Sequence, residues 1–141
     1  MTSPLLLFDA SSIFALVREL RGKALDVLLE SSTVSLAYYE VGNAVWRECF
    51  LLKRIISKEA IKLLESVFAI LQAMDVALLE DEELGTAILN MAGKLNLTYY
   101  DAAYLVEAQR LNKTLVTDDE KLTKAAKSVG VKTLTSRALR H

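Results

Sequence analysis

An uninterrupted apolar run near the start of the chain constrains the fold more than any other feature of the sequence. Residues 4–8 read Pro-Leu-Leu-Leu-Phe, and the run stops at Asp9. An apolar strand without alternation is typical of a sheet that is covered on both faces. The sequence therefore favours a sheet with helices on both sides.

Helical and strand-like segments alternate along the rest of the chain. Apolar spacing predicts strands at 4–8, 33–36, 76–79, 114–116 and 131–134, and helices at 11–17, 23–30, 38–53, 58–73, 82–95, 99–111 and 119–128. Ser57 is predicted to cap the helix at 58–73, and Gly130 to end the helix at 119–128 in a left-handed conformation. This order predicts an α/β fold of three layers, in which helices flank a mostly parallel central sheet of 4–5 strands.

Composition predicts one soluble domain over residues 1–141. The chain has 141 residues, of which 52% are hydrophobic, with one proline, five glycines and no linker-like stretch. A formal net charge of −1 argues against binding nucleic acid by bulk charge alone. The one cysteine, Cys49, is expected to be a small buried hydrophobe. No stretch is apolar enough to span a bilayer, so we expect a cytoplasmic protein without a membrane partner.

Acidic residues stand where the predicted strands and helices meet. Asp9 ends the first strand, Glu40 lies in the first turn of the helix after the second, and Asp118 and Asp119 follow the fourth. Asp101 begins the helix that leads into the fourth strand. In a parallel sheet these positions share the edge formed by the carboxyl ends of the strands, which is where sites form. The sequence therefore predicts an acidic cluster at this edge.

Such a cluster favours a divalent cation. Neighbouring carboxylates repel one another, and a cation relieves that repulsion. Mg²⁺ and Mn²⁺ prefer oxygen ligands, and such an ion can activate water and polarise a phosphodiester. The cluster thus fits hydrolysis of a phosphodiester bond.

Each acid also has a purely structural alternative. Asp9 has the position of a helix N-cap, and Glu40 stands in a first helical turn, where an acid interacts favourably with the helix dipole. Thr98 with Asp101 resembles a capping box, and Thr117 with Glu120 matches that motif. Strand-to-helix turns favour such residues without any chemistry. The residue pattern alone leaves both interpretations open.

Four motifs in order resemble the PIN-domain family, specifically the VapC-like toxins of prokaryotic toxin–antitoxin pairs. The motifs are Asp9-Ala10-Ser11, Glu40-Val41-Gly42-Asn43-Ala44, Tyr100-Asp101-Ala102-Ala103-Tyr104-Leu105 and Leu115-Val116-Thr117-Asp118-Asp119. The resemblance covers nearly the whole chain. It implies a PIN-like fold and an endoribonuclease dependent on Mg²⁺ or Mn²⁺. It also implies a homodimer and a small antitoxin whose tail plugs the acidic groove.

The resemblance assigns roles to the acidic residues by position. Asp9 and Asp101 correspond to the principal metal ligands, and Glu40 would complete the cluster or orient the attacking water. The Thr-x-Asp spacing selects Asp119 as the fourth acid. Asp118 remains either the helix N-cap or a contact to a second metal.

Three polar neighbours have supporting roles in the same scheme. Asn43 lies one helical turn from Glu40 and is expected to orient it by hydrogen bonding. Ser11 and Thr117 are candidate hydroxyls behind the metal ligands, with helix capping as the alternative.

Basic and aromatic residues suggest surfaces for RNA and for partner proteins. The C-terminal segment carries an excess of basic residues: Lys113, Lys121, Lys124, Lys127, Lys132, Arg137 and Arg140. Arg18 and Arg21 are alternatives for binding phosphates. Five tyrosines flank the acidic positions, where they stack on bases or pack in the core: Tyr38, Tyr39, Tyr99, Tyr100 and Tyr104. Trp46 is the expected anchor of a dimer or antitoxin interface, with core burial as the alternative.

Other small α/β folds fit less well. A phospho-receiver signalling domain needs an acceptor Asp after a central strand and a Lys after the last strand, but Glu80 and Thr135 stand there. A dehalogenase-type phosphatase needs Asp-x-Asp, and position 11 is serine. A PIN fold that acts only as an RNA-binding or assembly module would lack the acids, all of which are present here.

Overall fold

A computed structural model describes residues 5–19 and 23–139. Within these ranges the strands are β1 (Leu6–Phe8), β2 (Ser32–Val34), β3 (Asp75–Ala77), β4 (Thr114–Val116) and β5 (Thr133–Leu134). The α-helices are α1 (Ala10–Arg18), α2 (Lys23–Leu29), α3 (Ala37–Trp46), α4 (Ser57–Ala73), α5 (Glu82–Leu95), α6 (Tyr99–Arg110) and α7 (Glu120–Ser128). Pro4, Arg21 and Arg140, which entered the predictions above, lie outside the described residues.

The strands form one parallel sheet, which confirms the predicted α/β architecture. Their order is β3-β2-β1-β4-β5, and every neighbouring pair is parallel. Leu7 lies beside Ser32 on one side and Leu115 on the other. The carboxyl ends of β1 and β4 are therefore adjacent, and the residues that follow these strands meet at one edge of the sheet.

The direction of the crossovers places the helices in two layers. From β1 the chain moves to β2 and β3, and it then returns past β1 to β4 and β5. Because parallel crossovers are right-handed, reversing the direction transfers the connecting helices to the other face. Helices α1 to α4 therefore cover one face and α5 to α7 the other, as the contacts within each group indicate.

The core lies on both faces of the sheet. Leu7, Phe8, Leu115 and Val116 are completely buried, as expected for central strands without alternation. Helix α6 is buried throughout residues 102–108. Cys49 is buried among apolar neighbours, as predicted. These rigid elements carry the acidic residues at their ends.

The largest departure from the predicted elements is in the long helix expected at 38–53. It ends as an α-helix at Trp46 and continues as a π-helical turn, Arg47–Leu51. The buried Glu48 carboxylate of this turn pairs with Arg18 (2.5 Å) and Arg54 (3.2 Å). A buried charge needs such partners, and the wider turn directs Glu48 towards them.

Ser57 does not cap α4, so that prediction was wrong. Ser57 is the first helical residue, and the cap position is Ile56. The Glu59 side chain accepts a hydrogen bond from the backbone NH of Ile56 over 3.1 Å, which is the bond that the third helical residue contributes in a capping box. Gly130 has a φ of 79° and closes α7 in the left-handed region as predicted. No helix in the described part of the chain is long and apolar enough to cross a membrane.

Candidate active site

Asp9 lies where β1 ends and α1 begins. Its Oδ1 accepts a hydrogen bond from the backbone NH of Ser12 over 2.9 Å, so the residue caps α1. The carboxyl group is 6% exposed. Burial raises its pKa and the charge of Asp118 adds to this, while hydrogen bonds from Thr117 and Ser12 act in the opposite direction. Asp9 can therefore cap α1 and also belong to the acidic site.

Glu40 projects from the first turn of α3, which follows β2. Its Oε1 accepts a hydrogen bond from the Oη of Tyr104 over 2.7 Å. Burial raises the pKa of Glu40, and the charges of Asp101 and Asp9 raise it further, against the effect of the Tyr104 hydrogen bond. The hydroxyl that orients Glu40 thus belongs to Tyr104, whereas the predicted partner Asn43 is exposed.

Asp101 lies in the first turn of α6. Its backbone NH donates to the Oγ1 of Thr98 over 3.0 Å, so Thr98 caps the helix, and the Asp101 carboxylate lines the cleft. Burial raises the pKa of Asp101, and the nearby charge of Asp119 raises it further. A hydrogen bond with the Thr98 side chain and the charge of Lys121 lower this pKa. The site therefore contains an acidic group, Asp9, Glu40 and Asp101, whose negative charge is only partly offset by hydrogen bonds and by Lys121.

Asp118 and Asp119 have different surroundings after β4. The Oδ1 of Asp119 caps α7 by accepting from the backbone NH of Leu122 over 2.7 Å. Asp118 instead accepts from the backbone NH and the hydroxyl of Ser136, over 2.7 and 2.6 Å. The alternative in which Asp118 caps the helix was therefore wrong, because its side chain holds the 3₁₀ turn Ser136–Leu139.

Thr117 lies behind these acids and is completely buried. Its Oγ1 accepts from the backbone NH of Asp119 over 3.1 Å, and its hydroxyl also interacts with Asp9. The predicted capping box between Thr117 and Glu120 was wrong, because Asp119 is the cap. Thr117 thus connects two of the predicted site residues.

One open cleft of about 540 Å³ brings most of the predicted site together. The predicted residues that line it are Asp9, Ser11, Glu40, Asn43 and Asp101. Asp119 is not part of this lining, but its charge acts on Asp101. Three acidic residues therefore line the cleft, and the fourth lies close enough to Asp101 to raise its pKa.

The donor set fits a hard divalent cation. Every candidate ligand is a carboxylate, without a cysteine or histidine among them, which suits Mg²⁺ or Mn²⁺ better than zinc. Within the described residues, no three such side chains are grouped closely enough to hold an ion together. Mg²⁺ retains several waters and is commonly held by one or two protein carboxylates. The residues therefore fit such an ion without a closed cage.

Comparison with known proteins identifies the family. A protein of Pyrobaculum aerophilum named Exonuclease VapC9 is 33% identical to this chain over 132 residues, which is 93% of each chain. The chain belongs to the VapC family. No profile in a scan of protein-family models matches it, so the relationship rests on this relative.

Solved structures share the fold of this VapC-family chain. The crystal structure of PAE2754 from Pyrobaculum aerophilum has a TM-score of 0.78 and 28% identity, and the match covers 97% of this chain and 94% of that one. A toxin–antitoxin complex from Klebsiella pneumoniae has a TM-score of 0.63 and 16% identity, covering 93% and 97%. At that lower identity the likeness concerns the fold alone.

Sequence reasoning missed Arg47 as a site residue in this VapC-family chain. Arg47 lines the cleft together with Glu40, Asn43 and Ala44. These positions follow the helical spacing i, i+3, i+4 and i+7, so extending the face of Glu40 by two turns would have found it. Arg47 is a basic group inside an otherwise acidic cleft and has the chemistry to bind a phosphate.

The basic residues of the C-terminal segment do not all surround the cleft. Lys113 contacts Ser32 and Asp75, residues that begin β2 and β3, and Lys132 directly precedes β5. Both lysines therefore lie at the opposite edge of the sheet, and the prediction that the basic residues of this segment surround the acidic pocket was wrong for them. Lys121 is close enough to affect the pKa of Asp101.

The tyrosines divide between core and surface. Tyr104 is buried and Tyr38 packs edge-on against Phe68 at 5.1 Å, as the core interpretation predicts. Tyr39 and Tyr100 are exposed and line the cleft. These two rings remain available for stacking.

Trp46 lies on the surface, so its alternative as a core residue was wrong. It is 48% exposed and Phe50 is 61% exposed, and both line a groove of about 230 Å³ between α3 and α4. Val67 and Leu71 of α4, in contrast, are completely buried in the core.

Proposed function

We propose that this VapC-family protein is a Mg²⁺- or Mn²⁺-dependent endoribonuclease, and the toxin of a toxin–antitoxin pair. The observation that carries the proposal is the convergence of Asp9, Glu40 and Asp101 on one cleft with raised pKa values. The name of the Pyrobaculum aerophilum relative supports a nuclease activity.

Asp9 and Asp101 are the proposed principal ligands of the ion, with Glu40 and Asp119 in support. One oxygen of Asp9 and one of Asp119 serve as helix caps. Carboxylate oxygens accept more than one partner each, so capping does not prevent either residue from binding an ion. When bound, a divalent cation supplies Lewis-acid activation of the phosphodiester and of the attacking water.

Glu40 is the proposed acceptor of the proton of that water. Its Oε1 is held by Tyr104, which leaves Oε2 to accept the proton. A carboxylate with a raised pKa is a stronger base than an ordinary one. The arrangement gives Glu40 a fixed orientation relative to the cleft.

Arg47 is the proposed group that binds the RNA backbone. A guanidinium can bind a phosphate through two parallel hydrogen bonds. Because the other charged residues lining the cleft are acidic, Arg47 would offset the repulsion between the cleft and an incoming phosphate.

The decisive experiment compares wild-type protein with Asp101→Asn on single-stranded RNA. We expect Mn²⁺-dependent cleavage in the wild type and its abolition in the variant, because the neutral amide is a poorer metal ligand. Asp75→Asn is the matched control, since Asp75 is exposed at the opposite edge of the sheet, and it should cleave normally. Undiminished cleavage by Asp101→Asn would overturn the assignment.

The position of cleavage needs its own test, because the relative is named an exonuclease. A circular single-stranded RNA has no ends and is cut only by an endonuclease. We expect the wild type to linearise it. Degradation of linear RNA with the circular form left intact would replace the endonuclease proposal with an exonuclease.

The toxin proposal is supported by a structural neighbour, the toxin–antitoxin complex from Klebsiella pneumoniae. Expression should arrest growth, and Asp101→Asn should abolish the arrest. Coexpression of a small protein from an adjacent reading frame should restore growth. A homodimer is part of the proposal, and light scattering of the purified protein tests it. The exposed groove with Trp46 and Phe50 is the candidate interface for these partners.

A further inference from the structure

A second groove opens beside the carboxylate cleft. It has a volume of about 280 Å³ and is mostly apolar, and it lies between the ends of β2 and β3 and the helices α5 and α6. Leu36, Tyr39 and Tyr100 line both the groove and the cleft. The two spaces therefore share a wall, so a ligand held in one can extend into the other.

Exposed aromatic rings surround this groove. Tyr39 is 81% exposed, Tyr100 is 58% exposed and Tyr99 is 37% exposed. Tyr99 is held in place by a hydrogen bond from its Oη to the backbone oxygen of Gly85 over 3.2 Å. Rings of this kind provide stacking surfaces for unpaired bases.

Glu107 supplies a buried polar group in the same wall. It is 2% exposed, and its carboxylate binds the guanidinium of Arg110 through two hydrogen bonds of 2.8 and 2.9 Å. An ionised carboxylate only accepts hydrogen bonds, and each of its oxygens accepts more than one. Glu107 therefore favours a ligand that presents an N–H group.

We propose that this groove binds one nucleobase of the RNA whose phosphate lies in the carboxylate cleft, with a preference for bases that carry an exocyclic amino group. The proposal rests on the proposed function and extends it to the choice of substrate. Cytosine, adenine and guanine present such an amino group, and uracil does not.

The dimensions and position of the groove favour a base over a protein segment. Its volume lies just below the range of roughly 300–1,000 Å³ that is typical of pockets for drug-sized ligands, which suits a single flat ring system. Its shared wall with the cleft matches a ligand that joins a base to a phosphate. Arg110, which does not line the groove, forms an ion pair with Glu107 and offsets its charge. The groove therefore does not repel RNA as the cleft does.

The first test uses a short single-stranded RNA with one mapped cleavage site. Each nucleotide next to that site is replaced in turn by an abasic one. We expect one position at which loss of the base weakens substrate binding by roughly 5- to 150-fold, the effect of one lost base–aromatic stack. Equal cleavage of every abasic substrate would overturn the proposal and leave the ribonuclease assignment intact.

A variant that fills the groove should remove the difference in affinity between intact and abasic RNA. Ala77 lines the groove but not the cleft, so Ala77→Leu introduces a larger side chain into the groove. Intact and abasic RNA should then bind with similar affinity. Ala69→Leu, the same change at an exposed site on α4, should retain the wild-type difference. Unchanged discrimination in folded Ala77→Leu protein would contradict the assignment of the groove.

A binding measurement does not depend on catalysis. Titration with CMP, AMP, GMP and UMP in the presence of Mg²⁺ should shift the backbone NMR signals of Tyr99, Ala103 and Glu107. UMP should bind about fivefold more weakly, since its single ring N–H offers one hydrogen-bond donor fewer than an amino group. Ribose 5-phosphate should leave these signals unchanged. Equal shifts with ribose 5-phosphate would show that the groove responds to the sugar phosphate and not to the base. Shifts that depend only on protein concentration would show that a second copy of the chain occupies the groove. Either result would overturn the proposal.

The combined results separate the two proposals. Binding of bases without any RNA cleavage would support the base subsite and remove the ribonuclease function. Cleavage that does not depend on any base would support the ribonuclease function and exclude the base subsite.

Discussion

The phenol of Tyr104 links two of the three acidic positions of the cleft. Its Oη donates to the Oε1 of Glu40 over 2.7 Å and accepts from the backbone NH of Ala10, the residue after Asp9. Tyr104 is 1% exposed, so both bonds are shielded from water. A single buried hydroxyl therefore holds α3 and the start of α1 in a fixed relation to α6.

Removing this hydroxyl should change the pH dependence of activity. The Tyr104 hydrogen bond lowers the pKa of Glu40, so in Tyr104→Phe that pKa should rise and the acid limb of the rate profile should move to higher pH. We also expect a loss of about 1 kcal/mol of stability. Tyr100→Phe, on the same helix but exposed, is the control and should keep the wild-type profile. An acid limb that does not move would show that Glu40 does not limit the rate.

Asp101→Asn should make the protein more stable while it abolishes activity. The charge of Asp101 raises the pKa of Glu40, and burial and Asp119 raise its own pKa, so the ionised side chain is unfavourable in the folded state. We expect the melting temperature to rise by about 1–3 °C near neutral pH, with a smaller gain near pH 4. Calorimetry at the two pH values tests this. A lower melting temperature would mean that the Asp101 carboxylate contributes to folding.

Divalent metal should stabilise the protein more at high pH than at low pH. Asp9, Glu40 and Asp101 have raised pKa values in the folded state, so their contribution to stability is full below the unfolded values of 3.8 to 4.5 and is lost as pH rises. Mn²⁺ offsets the repulsion that then develops. The increase in melting temperature with Mn²⁺ should therefore be larger at about pH 7.5 than at about pH 5, and EDTA should reverse it.

Arg47→Ala should weaken RNA binding more than it slows the chemical step. Loss of one phosphate contact should raise KM and reduce the slope of log affinity against log salt by about 0.7 for single-stranded RNA. Lys127→Ala, an exposed residue at the end of α7, should retain the wild-type slope. A large fall in kcat with unchanged KM would instead place Arg47 at the reacting atoms.

Replacing Asp118 and Asp119 should separate a structural from a functional acid. Asp118→Ala loses two hydrogen bonds to Ser136 and should destabilise the protein by about 1–2 kcal/mol while metal-dependent cleavage persists. Asp119→Asn retains a capping oxygen and should lose cleavage with little change in stability. The opposite pattern of activities would make Asp118 the fourth acid.

Much of the fold follows from patterns that the sequence displays locally. Buried parallel strands need continuous apolar runs, which is why Leu7, Phe8, Leu115 and Val116 were recognisable before the structure. The positions of Asp9, Glu40 and Asp101 then follow from the direction of the strands. Their presence on a single cleft is a consequence of topology, so it could be predicted without knowing any side-chain contact.

Arg47 could have been found from local helical spacing, but the other features that sequence reasoning missed depend on tertiary packing. Asp118 is held by Ser136, a residue 18 positions away, and no local pattern announces that pairing. The orientation of Glu40 depends on Tyr104, 64 positions away. The transition to a π-helical turn after Trp46 depends on the burial of Glu48 between arginines from different segments. Local propensities contain none of this information.

The π-helical turn Arg47–Leu51 also holds one residue more than an α-helical turn would. Up to Arg47 the α-helical spacing keeps the side chains of Glu40 and Asn43 on the cleft, and within the wider turn Glu48 faces Arg18. If the turn took α-helical spacing and kept all of its residues, the side chains after it would rotate by about 100°, the rotation of one residue. If it also lost one residue, the later side chains would keep their direction. A change that converts this turn into a regular α-helix is therefore expected to be tolerated better when it also removes one residue.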